Sequence, residues 1–154
     1  DYTLAPCTPI GILKLLELYK IDIKEKNIVI LGRSDIVGKP LSLLLTNNNA
    51  TVTLCHSKTK DVKNITNKAK ADILISAIGK PKLITKDYIK KDAIIIDVGI
   101  NKDENGKLCG DVDFDDVKEK VSYITPVPKG VGPATIAIFL ENSYKAYLLN
   151  NKKW

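Results

Sequence analysis

Ile28-Val29-Ile30-Leu31 is apolar at every position and stops at Gly32. A strand with one wet face alternates apolar and polar residues. One that is apolar throughout has to be covered on both faces, which is the signature of a central strand in a parallel sheet. Residues 50–55, 72–76, 93–98 and 121–124 read as four further strands of the same kind. Helical segments separate them. Thr8-Pro9 predicts a helix start, with Thr as N-cap and Pro at the first helical position, and Ile12, Leu15, Leu16 and Tyr19 follow at helical spacing. A second helix carries Pro40 in its first turn, turns Leu41, Leu44 and Leu45 inward, and ends at Asn47-Asn48-Asn49. A polar helix over 61–70, short helices over 86–90 and 114–120, and a closing helix from the Pro/Gly-rich loop 125–133 to about residue 149 complete the set, before a Lys152-Lys153-Trp154 tail. Asn105-Gly106 predicts a tight turn joining two short strands.

Five strands alternating with helices predict an α/β fold: a three-layer, Rossmann-like domain with a mostly parallel sheet and helices on both faces. Such sheets bind ligands outside the carboxyl ends of their strands, at a topological switch point. The loops after strands one, two, four and five are therefore the expected site.

At 154 residues and 44% hydrophobic, the chain has enough apolar material for one core and no room for two, so residues 1–154 read as one domain. The net charge of +6 is carried by 23 Lys and a single Arg against 18 acidic residues. The Lys are scattered, with two Phe and one Trp in the chain, so they read as a solvated surface and not as a nucleic-acid footprint. No apolar run is long enough to suggest a membrane span. Cys7, Cys55 and Cys109 are odd in number and lack CxxC spacing; they read as reduced, mostly buried thiols in a cytoplasmic setting. No metal site is expected, since Gly110-Asp111-Val112-Asp113 has no further ligand nearby. The absence of Met makes the chain read as a processed product or a piece of a longer protein.

The turn after the first strand, Gly32-Arg33-Ser34-Asp35-Ile36-Val37-Gly38, is a variant dinucleotide fingerprint with Ser and Val where the second and third glycines would lie. Gly32 permits a tight turn, and the N-terminus of the next helix is expected to offer N–H groups to phosphate. Arg33 sharpens this reading. In a chain that otherwise uses Lys, it marks a position where a planar fork of donors serves better than an ammonium, as in a bidentate grip on a phosphate or in stacking on an adenine. Dinucleotide folds that take NAD place an acidic residue about 20 positions after the first glycine, on the ribose 2′-hydroxyl. Here that place reads Cys55-His56-Ser57-Lys58-Thr59, without a carboxylate. A hydroxyl and a cation facing Arg33 suit a 2′-phosphate, so the expected cofactor is NADP.

Catalytic residues are harder to find. None of the six Tyr has Lys four positions later, and the single His lies beside the expected phosphate site. Asp97 in Ile96-Asp97-Val98-Gly99 reads better as a carboxylate capping a neighbouring loop than as a catalytic acid. No catalytic residue is assigned to this chain.

Taken together, the motifs resemble the NADP-binding domain of the bifunctional methylenetetrahydrofolate dehydrogenase/methenyltetrahydrofolate cyclohydrolase family. The matching segments run in order from Pro6-Cys7-Thr8-Pro9 through Gly32–Pro40, 51–59, Gly79-Lys80-Pro81, Ile96–Asn101 and Gly110-Asp111-Val112 to Thr125-Pro126-Val127-Pro128 and Gly130-Val131-Gly132-Pro133. The resemblance implies NADP contacts at Gly32, Arg33, Ser34 and Ser57, with Ile100 beside the nicotinamide. It implies that Pro128, Gly130, Val131 and Gly132 border a folate substrate held with an N-terminal domain that carries the catalytic Lys and Tyr. It also implies a homodimer through this domain. On that basis the isolated chain is expected to bind cofactor without turnover, and the apolar face of the last helix to pack on the other domain. Two residues depart from the family loop Pro-Gly-Gly-Val-Gly-Pro-Met-Thr: Lys129 replaces the first Gly and Ala134 the Met. A free-standing, non-catalytic NADP-binding regulatory or assembly module is the alternative reading.

Overall fold

The computed structural model describes residues 4–68 and 71–151. In chain order the elements are α1 (Cys7–Leu18), β1 (Asn27–Leu31), α2 (Gly38–Asn47), β2 (Thr51–Cys55), β3 (Ile73–Ser76), β4 (Ile94–Asp97), β5 (Asn101–Lys102), β6 (Leu108–Cys109), α3 (Phe114–Val117), β7 (Tyr123–Ile124) and α4 (Val131–Asn151). Five of the strands form one all-parallel sheet in the order β2-β1-β3-β4-β7, while β5 and β6 pair antiparallel as the excursion turned by Asn105-Gly106. The chain leaves β1 toward β2 on one side and returns to β3 on the other. The switch point therefore lies between β1 and β3.

Alternate residues of each strand face opposite layers, and the core divides accordingly. Ile28, Ile30, Ile73, Ile75 and Ile96 face Ile12 and Leu16 of α1 and Leu41 and Leu45 of α2. Val29, Leu31, Leu74 and Ile95 face Ile84, Ile89, Val112 and Val117. Each fully buried Ile or Leu stabilises the fold by roughly 1.5–3 kcal/mol relative to exposure. The prediction that every strand is apolar on both faces fails for β2, where Thr51 and Thr53 are exposed and only Cys55 is fully buried. The reason is position: β2 is an edge strand, and its outer residues meet solvent.

The second covering layer is also thinner than the sequence predicts. The helix expected over 61–70 is present across residues 62–68 but takes the π form at Asn64–Lys68, and residues 69 and 70 lie outside the described region. The Thr66 hydroxyl donates to the carbonyls of Val62 at 3.1 Å and Lys63 at 3.3 Å, the kind of back-bonding that accompanies bent helices. Lys86–Tyr88 is one 3₁₀ turn, and α3 is shorter than expected. The Lys152-Lys153-Trp154 tail lies outside the described residues.

Two helix starts are shifted from expectation. α1 begins at Cys7 with Pro6 as its N-cap, so Thr8 is inside the helix, where its hydroxyl instead meets Thr135 at 3.1 Å. α4 begins at Val131, and Pro133 falls within its first turn, where the missing N–H would have had no intrahelical partner. α4 runs antiparallel on α1: Gly11 lies against the backbone of Ala134 and Thr135, and Asn142 Nδ2 donates to the Ala5 carbonyl at 2.9 Å. Its outer side carries Ile136, Phe139, Leu140, Tyr144 and Tyr147, all exposed and spaced as one stripe.

Lys129, in the loop before α4, has φ of 79°. A side chain in that left-handed region costs of order 1 kcal/mol relative to glycine. Lys129→Gly is therefore expected to leave the fold intact and raise its unfolding free energy by up to about 1 kcal/mol in urea titrations. A loss of stability would contradict it.

Candidate cofactor-binding site

The carboxyl ends of β1, β2 and β3 open into a crevice of about 420 Å³. It is lined by Leu31, Gly32 and Arg33 from β1 and its turn, by Cys55, His56, Ser57 and Thr59 from β2 and its turn, and by Ala77, Ile78 and Lys80 after β3. Val62, Leu83, Ile84 and Tyr88 close the back. The loop after β3 was not among those expected. It enters because β3, not β2 or β4, is the second neighbour of β1, a pairing that the order of strands along the chain does not reveal.

Gly32 is required at the head of the turn. Its φ is 115°, and a Cβ there would strike the carbonyl of Ala77. Gly38 is required for a different reason, since a Cβ on it would strike the carbonyl of Gly32 as α2 docks against the turn. Ser34 is drawn into this turn and does not line the crevice: its Oγ accepts from Val37 N at 3.2 Å and Gly38 N at 3.5 Å, and its carbonyl from Lys39 N at 3.1 Å. The first amides of α2 are thus already used. The amides of residues 33–36 have no acceptor among the described residues, so the free N–H groups belong to the turn and not, as expected, to the helix N-terminus.

Electrostatics single out Arg33. Lys39, the other cation of the turn, is held by Asp35 at 2.6 Å, and the ammonium keeps the Asp35 carboxyl below its usual range. Arg33 is exposed and has no ion pair among the described residues. Across the crevice, residues 56–59 form a tight turn in which Thr59 N donates to the His56 carbonyl at 2.8 Å. His56 Nδ1 accepts from Lys58 N at 3.1 Å, which leaves Nε2 to carry the ring proton. Ser57 stands exposed on this turn. No Asp or Glu lines the crevice, and burial pushes the Cys55 thiol up, away from anionic character. Arg33, Lys80 and polar neutral groups make a lining suited to an anion.

The remaining sequence-predicted residues lie elsewhere. Ile100, 71% exposed, stands on the loop after β4. Val131 is buried in the core beside Ile12 and Ile96, while Gly130 joins Lys129, Tyr19 and Tyr123 around a separate apolar cavity of about 230 Å³. Pro128 is exposed and follows a cis peptide bond, and Gly132 has open space where a Cβ would be. Among the described residues no group of three His, Cys, Asp or Glu side chains is placed to hold a metal.

Two buried carboxylates brace the same end of the sheet. Asp97, 3% exposed, accepts from Gly99 N, Asp111 N and Val112 N at 2.9–3.0 Å, which is the loop-capping role the sequence indicated. Burial nevertheless pushes its carboxyl up to about 6, with the neighbouring Asp111 charge adding to the rise. Because the folded-state value lies above the unfolded one of 3.8, this contribution to stability is complete below pH 3.8 and is lost as pH rises through about 6. The stability deficit of Asp97→Asn should therefore be greatest near pH 3 and shrink by about 3 kcal/mol by pH 7. Parallel urea titrations at those pH values check this, and a deficit that grows with pH would refute it.

The family model for the NAD(P)-binding domain of tetrahydrofolate dehydrogenase/cyclohydrolase matches residues 6–151. The chain belongs to this family. It is 60% identical over 141 residues to the bifunctional protein FolD of Anoxybacillus flavithermus, covering 92% of this chain and 49% of that protein. The FolD methylenetetrahydrofolate dehydrogenase/cyclohydrolase structure from Campylobacter jejuni superposes with a TM-score of 0.88 at 52% identity, covering 92% of this chain and 49% of that one. The family's enzyme from Trypanosoma brucei, solved with NADP cofactor and an inhibitor, gives 0.86 at 40% identity over 95% of this chain and 51% of that one. The chain thus spans about half the length of the family members it matches. The family is one of NAD(P)-binding domains, and the crevice at the β1–β3 switch point is, by its position in the sheet, the candidate for such a ligand.

Lys80 and Tyr88 are lining residues that sequence reasoning missed, while Lys58, the cation expected to face Arg33, is not part of the lining. For Lys80 there was a usable signal: Gly79-Lys80-Pro81 directly follows a buried strand, at the end of the sheet where ligands bind.

Proposed function

We propose that residues 1–154 form the NADP-binding domain of an enzyme that oxidises 5,10-methylenetetrahydrofolate to the methenyl form and hydrolyses it to 10-formyltetrahydrofolate. The observation that carries the choice of NADP is the lining of the crevice. Arg33 and Ser57 face a space with no carboxylate at the end of β2, where a ribose 2′-hydroxyl would call for one. The crevice fits the dinucleotide in other respects: backbone can approach closely at Gly32, and the turn amides are free for phosphate. Bound NADP would supply the hydride acceptor.

In this reading Gly32, Arg33 and Ser57, with the free backbone N–H of Ser34, hold the phosphorylated adenosine half, and Ile100 covers the nicotinamide. Pro128, Gly130, Val131 and Gly132 border the folate. The catalytic Lys and Tyr belong to the remaining half of the family's length, and the exposed stripe of α4 packs against that half. The assembled enzyme is a cytoplasmic homodimer joined through this domain.

Calorimetric titration of the chain with NADP and NAD tests the cofactor assignment. NADP should bind at least about tenfold more tightly, as a charge-assisted phosphate contact implies. Equal affinities would overturn the 2′-phosphate reading. With NADP and methylenetetrahydrofolate the chain alone should show no turnover, and sustained turnover would place the catalytic groups here after all.

A further inference from the structure

Asp111, 0% exposed, follows β6 and reaches into the gap between the loops after β3 and β4. Its Oδ2 accepts from Ile78 N at 2.8 Å and Ser76 Oγ at 3.1 Å, and its Oδ1 from Lys80 N at 3.0 Å and Asn101 Nδ2 at 2.9 Å. Ile78 and Lys80 are the β3 wall of the crevice. Asn101 directly follows Ile100 on the other loop. Among the described residues no Lys or Arg pairs with this carboxylate; hydrogen-bond donors alone solvate it.

The surroundings are built to fit it. A Cβ on Gly99 would collide with the Asp111 carboxylate, and one on Gly110 with the Asp97 carboxylate. Asp97 in turn holds the Asp111 amide at 3.0 Å. A buried charge that only stabilised the fold would be a poor choice, since desolvation offsets much of what such a group contributes. One carboxylate accepting from two loops does something a hydrophobic side chain cannot: it sets their spacing through directional bonds.

We propose that Asp111 is a positioning residue for the cofactor, holding the β3 wall and the Ile100–Asn101 loop at the separation that lets one dinucleotide touch both. The proposal rests on the NADP reading of the crevice. Asp111 touches no ligand itself. It acts through the backbone of Ile78 and Lys80 and through Asn101.

The geometry makes a split prediction. Arg33 and Ser57 grip the phosphorylated adenosine half from β1 and β2, and neither hydrogen-bonds to Asp111. In Asp111→Asn the amide NH₂ replaces one acceptor oxygen and cannot accept from a backbone N–H, so either Ile78 N or Lys80 N loses its acceptor and the β3 wall loosens. Asn101→Ala, a milder change, removes one donor and frees only the Ile100 loop. NADP and adenosine 2′,5′-bisphosphate should be titrated into the wild-type chain and both variants, with the folded fraction measured by circular dichroism.

Asn101→Ala should weaken NADP by about tenfold, as expected for a lost hydrogen bond to a charged group, and leave the bisphosphate within about twofold. Asp111→Asn, which also loosens Ile78 and Lys80 beside Arg33 and Ser57, should weaken NADP by more than it weakens the bisphosphate. Equal loss of both ligands would mark a purely structural role and overturn the proposal, as would unchanged NADP affinity in both variants. If Asp111→Asn does not fold, Asn101→Ala decides between these results. A wild-type chain that binds neither ligand would overturn the NADP reading itself, and this proposal with it.

Discussion

Arg33→Ala should weaken NADP binding by roughly ten- to a hundredfold, the equivalent of the 1.5–3 kcal/mol typical of hydrogen bonds to charged groups. NAD affinity should change by no more than about twofold, since NAD lacks the 2′-phosphate that a guanidinium at this position would grip. The structure supports an effect this large because Arg33 has no competing partner among the described residues: Lys39 is taken by Asp35, and no described carboxylate lines the crevice. Arg33→Lys should fall between the two, keeping the charge but losing the planar fork. High salt should shrink the difference, because the side chain is exposed and its charge is screened. Parallel calorimetry of the three proteins with both nucleotides decides it. A comparable loss of NAD binding would mean that Arg33 supports the turn and does not read the phosphate.

Gly38→Ala should destabilise the fold by roughly 2–4 kcal/mol, beyond the usual 1–3 for overpacking, because the clash is with backbone that cannot rotate away. The added Cβ would run into the Gly32 carbonyl, so α2 or the turn must shift. Cofactor affinity should fall too, since the same displacement opens the turn that carries Arg33. Gly106→Ala is the matched control. Gly106 has φ of 75° but open space where a Cβ would go, so only the conformational cost of about 1 kcal/mol applies there. Urea unfolding of both variants measures the contrast. Equal effects would show that close approach at Gly38 is not what requires the glycine.

Much of this site was legible in advance, for physical reasons. The strand ends could be read from unbroken apolar runs, and ligands in such sheets bind where strands end. Arg33 stood out because the chain otherwise uses Lys. The lack of an acidic residue after strand two pointed to the phosphorylated cofactor. Asp97 was readable as a loop-capping carboxylate, and three backbone amides do converge on it.

The partner of Asp97 was not legible. Gly110-Asp111-Val112-Asp113 reads as a short acidic stretch, and nothing local says that Asp111 reaches 35 residues back to Ser76 and 31 back to Lys80. Local pattern also overstated the regular α-helix on the second face, where residues 64–68 take the π form and Lys86–Tyr88 a single 3₁₀ turn.

The residues alone determined the layers and the cofactor class and marked the two sides of the proposed phosphate grip, because periodicity, glycine and charge act within a few positions along the chain. Tertiary structure decided which loops meet. Strand order is set by how the layers pack, and it put β3 beside β1. That brought Ile78 and Lys80 to the crevice and gave Asp111 the two loops it holds.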